Sequence, residues 1–130
     1  MQHIHNRKIS NPVVISGDIH SFFANDLKLD FDDQASPVVA TEFVGSSISS
    51  YGPPYDPIAK VLPDNPHVHF FDSRRRGYVV VDLTADAMQV QLRVVSDGGR
   101  KRTLPNTMFM ALRHASHKVR LDRQPKCCIL

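Results

Sequence analysis

Gly17-Asp18-Ile19-His20 closes a short apolar run and sets a carboxylate and an imidazole one residue apart. Carboxylate oxygens and an imidazole nitrogen are hard and borderline donors, a set that suits iron, manganese, zinc or calcium. In a loop after a strand, side chains two positions apart can enter the same space, and Gly17 lets the backbone turn sharply before them. Taken alone, the same residues fit better a turn-capping aspartate and a partly buried imidazole. The neighbouring sequence must decide between these uses.

The elements that would position the pair are legible in part. Val13, Val14 and Ile15 are β-branched and apolar and end at Ser16-Gly17, which predicts a strand buried on both faces that runs into a loop. Open α/β sheets place their sites just beyond strand carboxyl ends, where Asp18 and His20 fall. Residues 21–27 read as the start of a helical turn with Phe22, Phe23 and Leu27 on one side. A second apolar strand is predicted over 38–44, closed by Gly45 and a small polar run. Residues 51–66 carry most of the nine prolines and read as a loop or short irregular helix, a length that in a compact domain is functional or disordered.

Strands follow at 67–71 and 77–83, and at 88–95 Met88, Val90, Leu92 and Val94 alternate with Gln89, Gln91 and Arg93. The last two strands, joined by a turn at 84–87, predict an antiparallel hairpin with one wet face. Arg74, Arg75 and Arg76 fall between strands, where they either hold an anion or pair with a nearby carboxylate such as Asp72; the second use is expected. Beyond Gly99, Met108, Leu112, Ala115 and Val119 recur at helical spacing among basic residues, so one basic amphipathic helix or a disordered tail is expected there.

With 130 residues and 42% hydrophobic content, the chain has the size of one ordinary domain or of part of a larger one. A formal charge of +3 is too mild to argue for nucleic acid. No apolar run is long enough for a transmembrane helix, and residues 1–10 lack the apolar core of a secretory signal. The two cysteines, Cys127 and Cys128, are adjacent, which rules out a disulfide framework or a spaced zinc site. With Ile129 and Leu130 they match a geranylgeranylation pattern, against the simpler expectation of a chance match in a disordered tail.

The wider context favours the metal use of Asp18 and His20. "GDIHSFFANDL" resembles the last metal-binding motif of the PhoD-like alkaline phosphatases, and the likeness continues in order through "PVVATEFVGSSISSYGP", "NPHVHFFDSRRRGYVVVDLT" and "QLRVVSD". The resemblance implies a calcineurin-like metallophosphoesterase fold of class α/β (α+β): part of a sandwich with a mixed β-sheet and an antiparallel C-terminal hairpin. It implies metal-dependent hydrolysis of phosphate mono- and diesters with calcium and iron, Asp18 and His20 as metal ligands, and no catalytic side chain beyond the ligands. Asn25 and Asp26 match the family pattern as loop-fixing groups or braces for the ligands, and His67 matches near the site, against the simpler use as a strand-edge histidine. His69 departs from the pattern, so His67-x-His69 is not expected to bind metal.

The resemblance covers 11–97, with 1–10 as an unrelated start and 98–130 as a divergent basic tail outside the family pattern. The family's other metal motifs precede Gly-Asp-x-His. The chain is therefore expected to correspond to the C-terminal portion of a catalytic domain, weak or inactive alone, with an N-terminal half or partner chain supplying the rest. The family is exported to the periplasm or exterior, although this sequence shows no signal peptide. The alternative expectation is a non-catalytic binding module that uses its basic tail.

Overall fold

The computed structural model describes residues 1–85 and 87–95 with their side chains, and the backbone of 107–113 and 119–122. Two four-stranded sheets pack face to face. The first holds β1 (Val13–Ser16), β2 (Phe22–Lys28), β3 (Val38–Val44) and β4 (Val68–Asp72) in the order β1-β3-β2-β4. β1 runs parallel to β3, whereas β2 is antiparallel to both β3 and β4, so the sheet is mixed. The second is an antiparallel meander of β5 (Arg76–Leu83), β6 (Ala87–Val95), β7 (Thr107–Arg113) and β8 (Val119–Asp122). A short α1 (Gln2–Asn6) precedes the sheets, and α2 (Tyr55–Val61) with a 3-10 turn at Leu62–Asp64 links β3 to β4.

The core lies between the layers. Phe22, Ala24 and Phe43 from the first sheet meet Val90 and Leu92 from the second, all essentially inaccessible to water, with Val13, Phe70, Val79, Val81, Met88 and Val94 around them. Burying each large side chain contributes about 1.5–3 kcal/mol, so this short list accounts for much of what holds the sheets together. Gly77 makes close packing possible at the start of β5: a Cβ there would lie 1.9 Å from the Arg93 carbonyl oxygen and 2.8 Å from Phe22 Cζ. The hairpin turn between β5 and β6 is closed by Thr84, whose N–H donates to the Ala87 carbonyl at 2.8 Å and whose hydroxyl accepts from the Ala87 N–H at 3.0 Å.

The α/β (α+β) class, the mixed sheet and the C-terminal hairpin agree with the sequence expectation, as does a short helix in the proline-rich stretch. Three expectations are corrected. Residues 22–28 form the inner strand β2 rather than a helical turn: Phe22 and Ala24 point into the core, while Phe23 packs on Phe71 on the opposite face with ring centroids 4.7 Å apart. Both faces are covered, so adjacent apolar residues fit a strand here.

β1 is an edge strand, and Ile15 is 56% exposed instead of buried. The expected helix over the basic tail is replaced by β7 and β8, which extend the second sheet. "TMFMALR" is apolar at nearly every position, so periods of 2 and 3.6 fit it equally well, and the free edge of β6 selects the strand.

Candidate functional site

The strand directions bring several loops to one end of the first sheet. Ser16 at the end of β1 pairs with Val44 at the end of β3, Val44 pairs with Phe23 near the start of β2, and Phe22 pairs with Asp72 at the end of β4. The loops 17–21, 45–52 and 73–75 therefore meet, and Arg76 enters from the start of the second sheet.

Asp18 and His20 lie on the first of these loops, and both adopt positive φ, 72° and 57°. Non-glycine residues rarely occupy that region and do so where the surroundings hold them. At Asp18 the cause is a three-residue turn in which the Ile19 N–H donates to the Gly17 carbonyl at 2.9 Å. The Asp18 side chain is exposed, and among the described residues no group donates to its carboxylate.

His20 is held more tightly. Its Nδ1 lies 3.0 Å from the Tyr51 carbonyl oxygen. Its own carbonyl accepts from Arg76 Nη1 at 2.9 Å and lies 3.2 Å from Ser46 Oγ. Gly52 packs against that carbonyl so closely that a Cβ would come within 2.4 Å of its oxygen.

Arg76 also donates to Ser47 Oγ at 2.8 Å, to the Ser50 carbonyl at 2.5 Å and, through Nη2, to the Ser73 carbonyl. The other two arginines behave as expected from sequence. Arg74 and Arg75 pair with buried Asp72, at 3.2 and 3.5 Å, and the Arg74 guanidinium covers the Tyr55 ring at 3.7 Å.

The remaining sequence candidates stand apart from this loop. Asn25 is on β2, not in a loop, and donates to Glu42 Oε2 at 2.9 Å; Glu42 in turn accepts from Ser16 Oγ at 3.0 Å. Asp26 Oδ2 accepts from His69 Nε2 at 2.7 Å. His69 is the extra residue of a β-bulge, since Ala24 pairs with Phe70 and Asn25 with Val68, and the bulge turns its ring onto Asp26. The hydrogen bond to the Asp26 carboxylate raises the His69 pKa above its ordinary value, against the opposing effect of burial.

His67 sits at the opposite end of the sheet, edge-on to Phe31 with ring centroids 4.9 Å apart, and its carbonyl accepts from the Asp26 N–H. Five strand positions separate it from Asp72, roughly 17 Å, so the structure does not bring it to Asp18 and His20. Tyr51 and Gly52 were missed from sequence, and Arg76, expected to pair with a carboxylate such as Asp72, instead meets oxygens of residues 20, 47, 50 and 73. The one local signal was Gly52 ahead of two prolines in an otherwise unpatterned loop. Cys127, Cys128 and the side chains of the basic tail lie outside the described residues.

Two donors do not make a complete metal centre, and among the described residues no group of three or more His, Cys, Asp or Glu side chains could hold an ion. The donors present do fit part of one. Asp18 offers an unencumbered carboxylate, and His20 has one ring nitrogen engaged by a carbonyl and the other left over, the usual arrangement of a ligating histidine.

The sandwich with this loop at its strand ends has a metallophosphoesterase-type fold, as its likeness to a solved structure of PhoD shows. The family model for PhoD-like phosphatases matches residues 1–92, and the chain belongs to that family. It is 37% identical over 95 residues to alkaline phosphatase D of Bacillus subtilis (strain 168), a match that takes in 71% of this chain and 16% of that protein. A solved structure of PhoD superposes with a TM-score of 0.73 at 28% identity, covering 92% of this chain and 23% of the other. The chain thus spans about a sixth of its curated relative and under a quarter of the solved structure.

Proposed function

We propose that the chain contributes to metal-dependent hydrolysis of phosphate mono- and diesters as part of a larger catalytic domain, with Asp18 and His20 among the metal ligands. The observation that carries this reading is the pair's placement: both sit in left-handed backbone on the loop where strand ends converge, with His20 Nδ1 tied to a carbonyl and the Asp18 carboxylate open. Family membership supplies the reaction class, and the resemblance to PhoD-like enzymes supplies calcium and iron as the metals. Metals in such a centre polarise phosphoryl oxygens and lower the pKa of bound water. This chain's part is to present an oxygen donor on the turn at Asp18 and a nitrogen donor on the His20 ring, whose Nδ1 is tied to the Tyr51 carbonyl. The rest of the ligand set comes from the portion of the domain that this chain does not span.

The test is a chimera in which residues 11–97 replace the corresponding segment of the Bacillus relative, assayed with an aryl phosphomonoester and diester in calcium and iron. The chimera is expected to hydrolyse both, while its Asp18→Asn and His20→Gln variants lose more than about a hundredfold, since even groups that only brace ligands cost 10–100-fold. Full activity in either variant would refute the ligand roles. The chain alone with the same metals is expected to show at most weak turnover.

A further inference from the structure

His20 occupies a backbone region that non-glycine residues rarely adopt, and the groups holding it there come from two distant parts of the chain, the loop 45–52 and Arg76. The Tyr51 carbonyl faces Nδ1, and a carbonyl can only accept. A neutral His20 in this arrangement therefore carries its proton on Nδ1 and keeps the lone pair on Nε2.

The position of that carbonyl depends on the turn 47–52. Ser47 Oγ donates to the Ser50 carbonyl, and Arg76 Nη1 donates to both Ser47 Oγ and the Ser50 carbonyl. The same nitrogen lies 2.9 Å from the His20 carbonyl, so its two hydrogens are shared among these three oxygens. One guanidinium nitrogen thus fastens both the backbone of the histidine and the turn that reads its ring.

Among the described residues no carboxylate pairs with Arg76, in contrast to Arg74 and Arg75; its charge is met by oxygens of residues 20, 47, 50 and 73. Gly52 is the complementary part, since any side chain there would displace the His20 carbonyl from below.

We propose that Arg76, together with Gly52, is a positioning residue that locks His20 as the Nδ1–H tautomer and so presents Nε2 for coordination. The consequence for catalysis rests on His20 being a metal ligand, but the tautomer itself does not. A lysine in place of Arg76 keeps the charge yet cannot reach carbonyls in several directions at once, because its ammonium is a single point at the end of a flexible stem.

The tautomer is read directly from long-range proton–nitrogen spectra of the 130-residue chain labelled with 15N-histidine, at about pH 8.5, well above the ordinary imidazole pKa. The His20 signals are identified by their loss in His20→Gln. In the unaltered chain the Nδ1–H form is expected to dominate by about fivefold or more, the bias a single neutral hydrogen bond supplies.

In Arg76→Met and in Gly52→Ala the Nδ1–H excess should be lost, with the Nε2–H form that a free neutral imidazole side chain prefers gaining at its expense, while the amide signals of β3 and β6 stay in place, and Arg76→Lys should fail to restore the bias. If Arg76→Met does not fold, Gly52→Ala and Arg76→Lys give the same readout with a cation retained at position 76. An Nε2–H form in the unaltered chain, or an undiminished bias in the folded variants, would overturn the proposal. Failure of the metal reading shows separately, as a fully active His20→Gln chimera whatever the tautomer.

Discussion

Removing the imidazole of His69 should change how the stability of the chain depends on pH, with a sign fixed by the contact to Asp26. His69 Nε2 lies 2.7 Å from Asp26 Oδ2, and the two side chains are only 30% and 17% exposed, so solvent screens the pair incompletely. The bond to the carboxylate raises the His69 pKa above the ordinary value of about 6.5 that applies in the unfolded chain. Below that value the imidazole is protonated in both states and the full charge-assisted bond stabilises the fold, by about 1.5–3 kcal/mol. As pH rises, the unfolded chain loses its proton first, the folded state then binds more protons than the unfolded, and stability falls until the folded pKa is passed.

His69→Gln should therefore cost about 2 kcal/mol near pH 5.5 and clearly less near pH 9, where only a neutral hydrogen bond is lost. Urea unfolding of both proteins across this range isolates the effect, because the other histidines contribute equally to each. A difference that is constant with pH, or that grows toward pH 9, would refute the reasoning. Asp26→Asn should flatten the curve in the same way from the other side of the pair.

Phe43→Ala should cost about 3–5 kcal/mol, since the ring is fully buried between the sheets; chemical denaturation giving under about 1 kcal/mol would show that the layers do not close over it. Gly77→Ala should leave little folded protein, because its methyl would overlap the Arg93 carbonyl backbone, which cannot swing aside as a side chain can; circular dichroism with a cooperative melt like that of the unaltered chain would contradict this. Asp72→Ala should cost about 1.5–3 kcal/mol by removing the acceptor of the Arg74 N–H and the partner of two guanidinium groups, and a neutral effect in urea titration would show that the junction from β4 to β5 holds without it.

How much of this was legible in the sequence depends on whether the cause was local. β3 is delimited by Pro37 and Gly45, and the β5–β6 hairpin by a β-branched run before and an alternating run after the turn at 84–87, so both follow from the residues themselves. β2 does not, because its two faces are covered by different partners, the core on one side and Phe71 on the other, and a strand buried twice loses its alternation. The exposure of Ile15 follows from the position of β1 at the sheet edge, a property of strand order that no window of sequence records.

Asp18 and His20 could be picked out as candidates because two residues on one loop keep a fixed spacing in the sequence. Arg76 could not, since its partners at residues 20, 47 and 50 become neighbours only when the second sheet is laid against the end of the first.

That contrast bears on what the chain brings to the proposed centre. On that proposal the remaining donors come from sequence this chain does not span, yet the groups that hold the backbone of Asp18 and the ring of His20 are its own: the γ-like turn at Asp18, the Tyr51 carbonyl, the Gly52 cradle and the Arg76 contacts. Left-handed backbone at two non-glycine residues has an energetic cost, of order 1–3 kcal/mol each, and here that cost is met by hydrogen bonds and packing already present without the remaining ligands. The loop conformation is thus held by this chain's own contacts. Metal addition to the chain alone should leave the Asp18–His20 backbone signals in place, and a loop ordered only by metal would show the opposite, with amide signals of residues 17–21 sharpening or shifting on titration.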